Sequence, residues 1–178
     1  MSFLEPLDEL RQRIIWAILS LLVAFVRCFT FSTQIFEFLM GPLRMALPPG
    51  GELIATKVPE VFVLHMKMSF FVAIFVASPL WLSQVWLFIA PGLYENEKKF
   101  AVPFILFGTV FFVAGAVFAH YLIFPIAVKF FATFGSPDVQ IKLTVSEVFA
   151  FYAKVILAAG VVFQIPTVVF LLARMGLI

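Results

Sequence analysis

Acidic and basic side chains are concentrated in two short polar segments of this sequence. The bend 90–99 holds Glu97 beside Lys98 and separates two uncharged apolar runs, and the N-terminal segment holds Glu9 shortly before Arg13. Carboxylates at such positions can form ion pairs at a membrane surface, where an exposed pair contributes about 0–1 kcal/mol. Simple ion pairing is therefore the plainest interpretation of both acids, and a binding role is the alternative.

Sequence motifs of catalysis and of metal binding are missing. The chain has no HExxH motif, no GxSxG motif and no pair of intramembrane aspartates, which argues against an intramembrane enzyme. His120 and His65 are the two histidines, and no cysteine or carboxylate stands at ligand spacing from them, so a hydrogen-bonding role is expected for His120. The single cysteine, Cys28, allows no intrachain disulfide. No metal and no cofactor are expected.

Composition identifies the class of protein. Of the 178 residues, 63% are hydrophobic and 12% are charged, too few polar side chains to cover a soluble core. Backbone groups in lipid must bond within their own segment, and uninterrupted apolar runs exclude the alternating pattern of a barrel. We therefore predict an all-α polytopic membrane protein. A net charge of +2 gives no reason to expect nucleic acid as a partner.

About 20 apolar residues are needed to cross a bilayer core of about 30 Å. By this length, residues 1–178 are predicted to form a single membrane domain with four spans. The acidic N-terminus is unlike a cleavable signal peptide, so the first span is expected to remain in the mature protein. An amphipathic surface helix, residues 4–13, precedes it. The predicted spans are 14–36, 68–89, 100–126 and 148–172, and the predicted external loops are 37–67 and 127–147.

Lysine and arginine predict the orientation. They are denser on the side that contains the N-terminus and the bend 90–99 than in the two long loops, which places that side in the cytoplasm. Four spans return the C-terminus to the same side. The sequence stops at a helix end without a polar tail, which suggests a piece of a longer protein.

Prolines within the apolar runs predict kinked helices. Pro79 should kink the second span and Pro166 the fourth, giving a concave bundle. Gln164 lies beside the ladder that Pro166 interrupts. Two roles are equally consistent with this position: a hydrogen bond inside the protein, or a docking point for a partner helix. Gly115 and Ala119 form a small-xxx-small pair suited to close helix packing.

Taken in order, several motifs resemble the TatC family, the multispanning receptor component of the twin-arginine protein translocase. The resemblance covers the whole chain, and its motifs are Leu7-Asp-Glu-Leu-Arg11, Gly41-Pro42-Leu43, Leu53-Ile-Ala-Thr56, Pro59-Glu60-Val-Phe62, Ser78-Pro79, Gln84-Val-Trp-Leu-Phe88, Ala90-Pro91-Gly-Leu-Tyr94, Glu97-Lys-Lys99, Phe118-Ala119 through Phe124-Pro125, and Gly160-Val-Val-Phe163-Gln-Ile-Pro166. Two features depart from the family pattern. The family usually has six spans where this chain has four, and its polar position in the fourth span is often glutamate where this chain has Gln164.

The resemblance implies a function. The family binds signal peptides with two adjacent arginines on the cytoplasmic face of the bacterial inner membrane, and Glu9 and Glu97 match its two receptor carboxylates. A guanidinium presents a planar fork of donors that a carboxylate accepts bidentately, so two carboxylates can select arginines over lysines. By the same resemblance, Arg11 holds the two acids in place and keeps the local electrostatic field near neutral. Phe88 and Tyr94 are expected to contact the apolar part of the peptide.

Further expectations from the resemblance concern partners. Folded cargo would cross the membrane on the protonmotive force without catalysis, in a complex with the single-span proteins TatA and TatB and with further copies of the chain. Partner docking or a structural role is expected for Pro42, Phe62, Pro79, Gln164 and Pro166. The alternative function is a small ion or solute transporter. That function predicts carboxylates at the midplane of the spans, where this sequence has none.

Overall fold

The computed structural model describes residues 5–47, 53–89, 101–134 and 143–174, and these residues are almost entirely helical. In chain order the elements are α1 (Glu5–Thr30), α2 (Ser32–Ala46), β1 (Leu53–Ile54), α3 (Glu60–Val76), α4 (Ser78–Ile89), α5 (Ala101–Phe118), a π-helical turn (Ala119–Ile123), α6 (Phe124–Ala132), β2 (Leu143–Thr144), α7 (Val145–Val162) and α8 (Ile165–Arg174).

Three continuous stretches of the described chain are long and apolar enough to cross a membrane: Leu7–Thr30, Val102–Ala132 and Val145–Phe170. A fourth candidate is the pair α3 and α4, which bend by 55° at Ala77. The kink predicted at Pro79 is thus present. Because Pro79 has no N–H, the carbonyl of Phe75 lacks its usual helical donor, and the hydroxyl of Ser78 donates to that carbonyl at 2.6 Å instead.

Helix α1 packs antiparallel against the bent pair. Phe29 contacts Phe62 with ring centroids 6.3 Å apart, Phe25 contacts Phe70 at 6.1 Å, and Leu21 packs near Trp81. Earlier residues of α1 contact later residues of α3 and α4, so the start of α1 lies beside the end of α4. We call this the proximal end of the bundle, and the opposite end the distal end.

Two glycines allow α5 and α7 to approach closely. A Cβ on Gly115 would lie 2.7 Å from the backbone oxygen of Ala159, and one on Gly160 would lie 2.9 Å from the ring of Phe112. Such separations are too short for any side chain. The close helix packing predicted for Gly115 is therefore confirmed. The largest core cluster surrounds the same contact, and Phe124, Tyr152 and Ile156 are buried in it.

The distal end is closed by a short parallel pairing of β1 with β2, in which Leu53 pairs with Leu143 and Ile54 with Thr144. Nearby, the carboxylate of Glu60 accepts hydrogen bonds from the backbone nitrogens of Thr56 and Lys57, at 2.5 and 3.0 Å, and from the hydroxyl of Thr56 at 3.0 Å. The two long connections of the chain are thus joined to each other at this end.

The helix boundaries differ from the predicted ones at the N-terminal side. Residues 5–13, predicted to belong to a surface helix, continue without a break into the first span, because no helix breaker follows them and α1 runs through to Thr30. The predicted loop 37–67 contains most of α2 and the start of α3. Pro42 lies inside α2, at a cost of about 3 kcal/mol, but Met40 and Leu43 are fully buried and contribute about 1.5–3 kcal/mol each.

Candidate functional site

The proximal end carries the described part of the predicted receptor site. Glu9 lies one turn into α1, and its Oε1 atom accepts hydrogen bonds from two nitrogens of Arg13, Nε at 3.1 Å and Nη2. The side chain of Glu9 is 46% exposed and that of Arg13 is 22% exposed. The guanidinium thus orients the carboxylate and leaves it open to solvent.

Arg13, rather than Arg11, is the partner of Glu9. An i,i+4 spacing places two side chains on the same face of a helix, whereas an i,i+2 spacing does not. Arg11 is exposed on α1 without an ion pair among the residues that the structure describes. Arg13 is thus the observed partner of Glu9 among the described residues, and the role of Arg11 in positioning the acids stays a prediction.

Phe88 lies in the last turn of α4 and is 44% exposed. Since α1 and α4 are antiparallel, this ring lies at the same end of the bundle as Glu9. Tyr94 and Glu97 fall outside the described residues, so their contact with Glu9 stays a prediction.

A second polar site lies between α4, α5 and α8. Nε2 of Gln164 donates to the backbone oxygen of Gly108 at 2.7 Å, while Oε1 of Gln164 and Nε1 of Trp86 are buried without a hydrogen-bond partner among the described residues. Both atoms approach the same face of Gly108, because a Cβ there would lie 3.0 Å from Nε1 of Trp86 and 3.4 Å from Oε1 of Gln164. Sequence reasoning found Gln164, placed Trp86 in a family motif without a role, and missed Gly108, which no local pattern marks.

The break before Pro166 creates this site. Helix α7 ends at Val162, and α8 begins at Ile165 with Pro166 in its first turn, where no backbone donor is needed. Gln164 lies in the intervening turn, and its backbone oxygen accepts from Val168 at 3.0 Å. Thr167, which follows Pro166 in the first turn of α8, is 4% exposed, and its hydroxyl also has no partner among the described residues.

Phe62 and His120 both contact aromatic side chains, Phe62 on the surface of the bundle and His120 in its core. Phe62 is 60% exposed, and its ring meets Phe29 edge to face. Nδ1 of His120 lies 2.8 Å from the hydroxyl of Tyr152 in the core. Within the described ranges no cluster of three or more histidine, cysteine, aspartate or glutamate side chains could hold a metal ion.

The fold and these sites define an α-helical, multi-pass membrane protein with charged side chains at its proximal end. A family model described as Sec-independent protein translocase protein (TatC) matches residues 5–178, and the chain belongs to that family. It is accordingly a multi-pass protein of the bacterial inner membrane.

Individual relatives support the assignment. The chain is 38% identical over 174 residues to the TatC protein of Magnetococcus marinus, 39% over 181 residues to that of Koribacter versatilis and 40% over 176 residues to that of Helicobacter pylori J99. These alignments cover 98–100% of the chain but 64–68% of the relatives, so the chain spans about two thirds of their length.

A solved structure shares the fold. The crystal structure of a twin arginine translocase receptor, TatC, in the detergent DDM superimposes with a TM-score of 0.88 at 34% identity, covering 98% of this chain and 78% of the other. This agreement confirms the predicted all-helical membrane fold.

Proposed function

We propose that this chain is the signal-peptide receptor and core subunit of a Sec-independent translocase that moves folded proteins across the membrane on the protonmotive force. The observation that carries the proposal is the exposed carboxylate of Glu9, oriented by Arg13 at the proximal end of the bundle. The related protein of known crystal structure is a twin arginine translocase receptor.

The chemistry of Glu9 suits an arginine ligand. One of its oxygens accepts both bonds from Arg13, and the other accepts none from the described residues. A second guanidinium can therefore bind without displacing Arg13. With Glu97 supplying the other carboxylate from the bend 90–99, two adjacent arginines of a signal peptide would each have an acceptor, and exposed Phe88 would contact the apolar residues that follow.

Partner helices are proposed to dock at Gln164. Its Oε1 atom and the indole nitrogen of Trp86 offer one acceptor and one donor in an otherwise apolar region, and Ile165 and Val168 of α8 are exposed beside them. The single-span proteins TatA and TatB are the proposed partners. A polar side chain on such a helix would satisfy both groups, which hydrocarbon cannot do.

Photocrosslinking tests where the peptide binds. A peptide with a photoreactive group beside its Arg-Arg pair should form adducts with residues 5–13 and 90–99 in membranes, and excess unlabelled Arg-Arg peptide should suppress them, whereas Lys-Lys peptide should not. Adducts confined to the distal end, around Glu147, would contradict the proposal.

A further inference from the structure

Helices α2 and α6 enclose a cleft of about 440 Å³ near the distal end, within the range of about 300–1,000 Å³ found for small-molecule sites. Residues from both helices and from the π-helical turn line it, among them Glu37, Phe38, Met45, His120, Tyr121 and Lys129. Phe38 stacks on His120 with ring centroids 4.7 Å apart, which joins the two walls.

Helix lengths place this cleft at the level of the lipid headgroups. The stretch Leu7–Thr30 already has 24 residues, more than the roughly 20 that cross the hydrocarbon, so α2 begins where the bilayer core ends. Counted from Ala101 at the opposite surface, roughly 20 residues reach Tyr121. Tyr121 is 63% exposed, as an aromatic residue at a membrane interface often is.

The cleft carries one charge of each sign. Glu37 lies on the α2 wall and Lys129 on the α6 wall, and both are exposed. Across the described residues the one ion pair joins Arg13 to Glu9, so Glu37 and Lys129 do not neutralise each other. A bound group that carries both an anion and a cation would complement the two side chains.

A phospholipid headgroup with an ammonium group has this chemistry. Its phosphate oxygens can accept from the Lys129 ammonium, and its own N–H groups can donate to the Glu37 carboxylate. An anionic lipid without an ammonium group would bring a like charge towards Glu37, and a choline headgroup has no N–H to donate. The exposed faces of Phe38 and Met45 can contact the first carbons of the acyl chains.

We propose that this cleft binds the headgroup of phosphatidylethanolamine at the distal membrane surface, with Lys129 on the phosphate and Glu37 on the ammonium. The site is separate from the proximal receptor site and does not depend on the proposed function. Its occupancy would link α2 to α6 across their exposed side.

Native mass spectrometry of the purified, delipidated chain tests the proposal. Phosphatidylethanolamine should bind more tightly than phosphatidylcholine or phosphatidylglycerol with the same acyl chains. Glu37→Gln and Lys129→Gln should each weaken phosphatidylethanolamine binding by about three- to fivefold, the upper part of the range of an exposed ion pair. Arg44→Gln and Glu147→Gln, which change exposed charges outside the cleft, should leave it unchanged.

Three outcomes would overturn the proposal. The first is equal binding of the three lipids by the wild type. The second is an unchanged preference in Glu37→Gln, which would reduce the site to phosphate binding alone. The third is displacement of the lipid by soluble phosphoethanolamine at equal concentration, which would assign the site to a soluble ligand.

Lys129→Arg is the control for Lys129→Gln. It keeps the positive charge and should retain lipid binding, so a loss of binding in Lys129→Gln alone is due to the lost charge and not to misfolding.

Discussion

The amide nitrogen of Gln164 donates to the backbone carbonyl of Gly108 at 2.7 Å, which joins the start of α8 to α5. The same side chain leaves its Oε1 atom buried and unpaired among the described residues. The donor group of Gln164 therefore bonds within the chain, and a docking role for its unpaired acceptor stays a prediction.

Substitutions at Gln164 should separate assembly from stability. In membranes that contain the single-span partners, Gln164→Glu should retain crosslinking to partner helices because a polar acceptor remains, whereas Gln164→Leu should weaken it. Gln34→Leu, at an exposed site on α2, is the matched control. Crosslinking of Gln164→Leu at the wild-type level would mean that the residue serves only packing.

Tyr152→Phe should destabilise the bundle because it leaves the buried Nδ1 of His120 without its partner at 2.8 Å. A hydrogen bond between spanning helices contributes about 1 kcal/mol, which corresponds to a fall in melting temperature of roughly 2–4 °C for a chain of this size. Tyr121→Phe is the control, since that side chain is 63% exposed. Equal melting temperatures for the two variants in detergent would show that the His120 bond contributes nothing.

Gly115→Ala and Gly41→Ala should change stability in opposite directions. The new Cβ at 115 would meet the Ala159 backbone at 2.7 Å and force α5 from α7, at a cost of about 1–3 kcal/mol. At Gly41 nothing lies within 4 Å of the new atom, and alanine favours a helix interior over glycine by about 0.5–1 kcal/mol. Thermal unfolding in detergent measures both, and a stabilised Gly115→Ala would be inconsistent with the close helix contact.

Cysteine labelling tests the predicted orientation, which places the proximal end in the cytoplasm. In a Cys28→Ala background, cysteines at Gly50 and Asp138 should react with an impermeant reagent added to intact cells, and one at Asn96 should not. These three positions lie outside the described residues, so the experiment tests the side of the membrane only. External labelling at Asn96 would invert the orientation and remove the receptor proposal.

Sequence reasoning was reliable where a single residue forces a local feature. The bend near Pro79 and the break near Pro166 follow from a missing backbone donor, and the apolar runs follow from the bilayer thickness. Pro125, which lacks a backbone donor in the first turn of α6, stands just after the π-helical turn in the same way.

Features that depend on distant partners could not be predicted. Two-residue strands pair Leu53 with Leu143, and no local pattern marks so short a contact. The continuation of α2 through Pro42 depends on burial of Met40 and Leu43 against other helices, which outweighs the local cost. The pairing of Glu9 with Arg13 was predictable by contrast, because an i,i+4 spacing places both side chains on one face of a helix.

The affinity of twin-arginine peptides for charge variants tests the central proposal most directly. An Arg-Arg peptide should bind the detergent-solubilised wild type more tightly than a Lys-Lys peptide, and Glu9→Gln or Glu97→Gln should each weaken Arg-Arg binding about ten- to a hundredfold, the equivalent of about 1.5–3 kcal/mol. The Lys-Lys peptide should lose much less, because it makes no bidentate contact.

The control is Glu147→Gln, which removes an exposed acid at the distal end and should bind both peptides as the wild type does. Equal affinities for the two peptides in the wild type, Glu9→Gln, Glu97→Gln and the double variant would contradict the account.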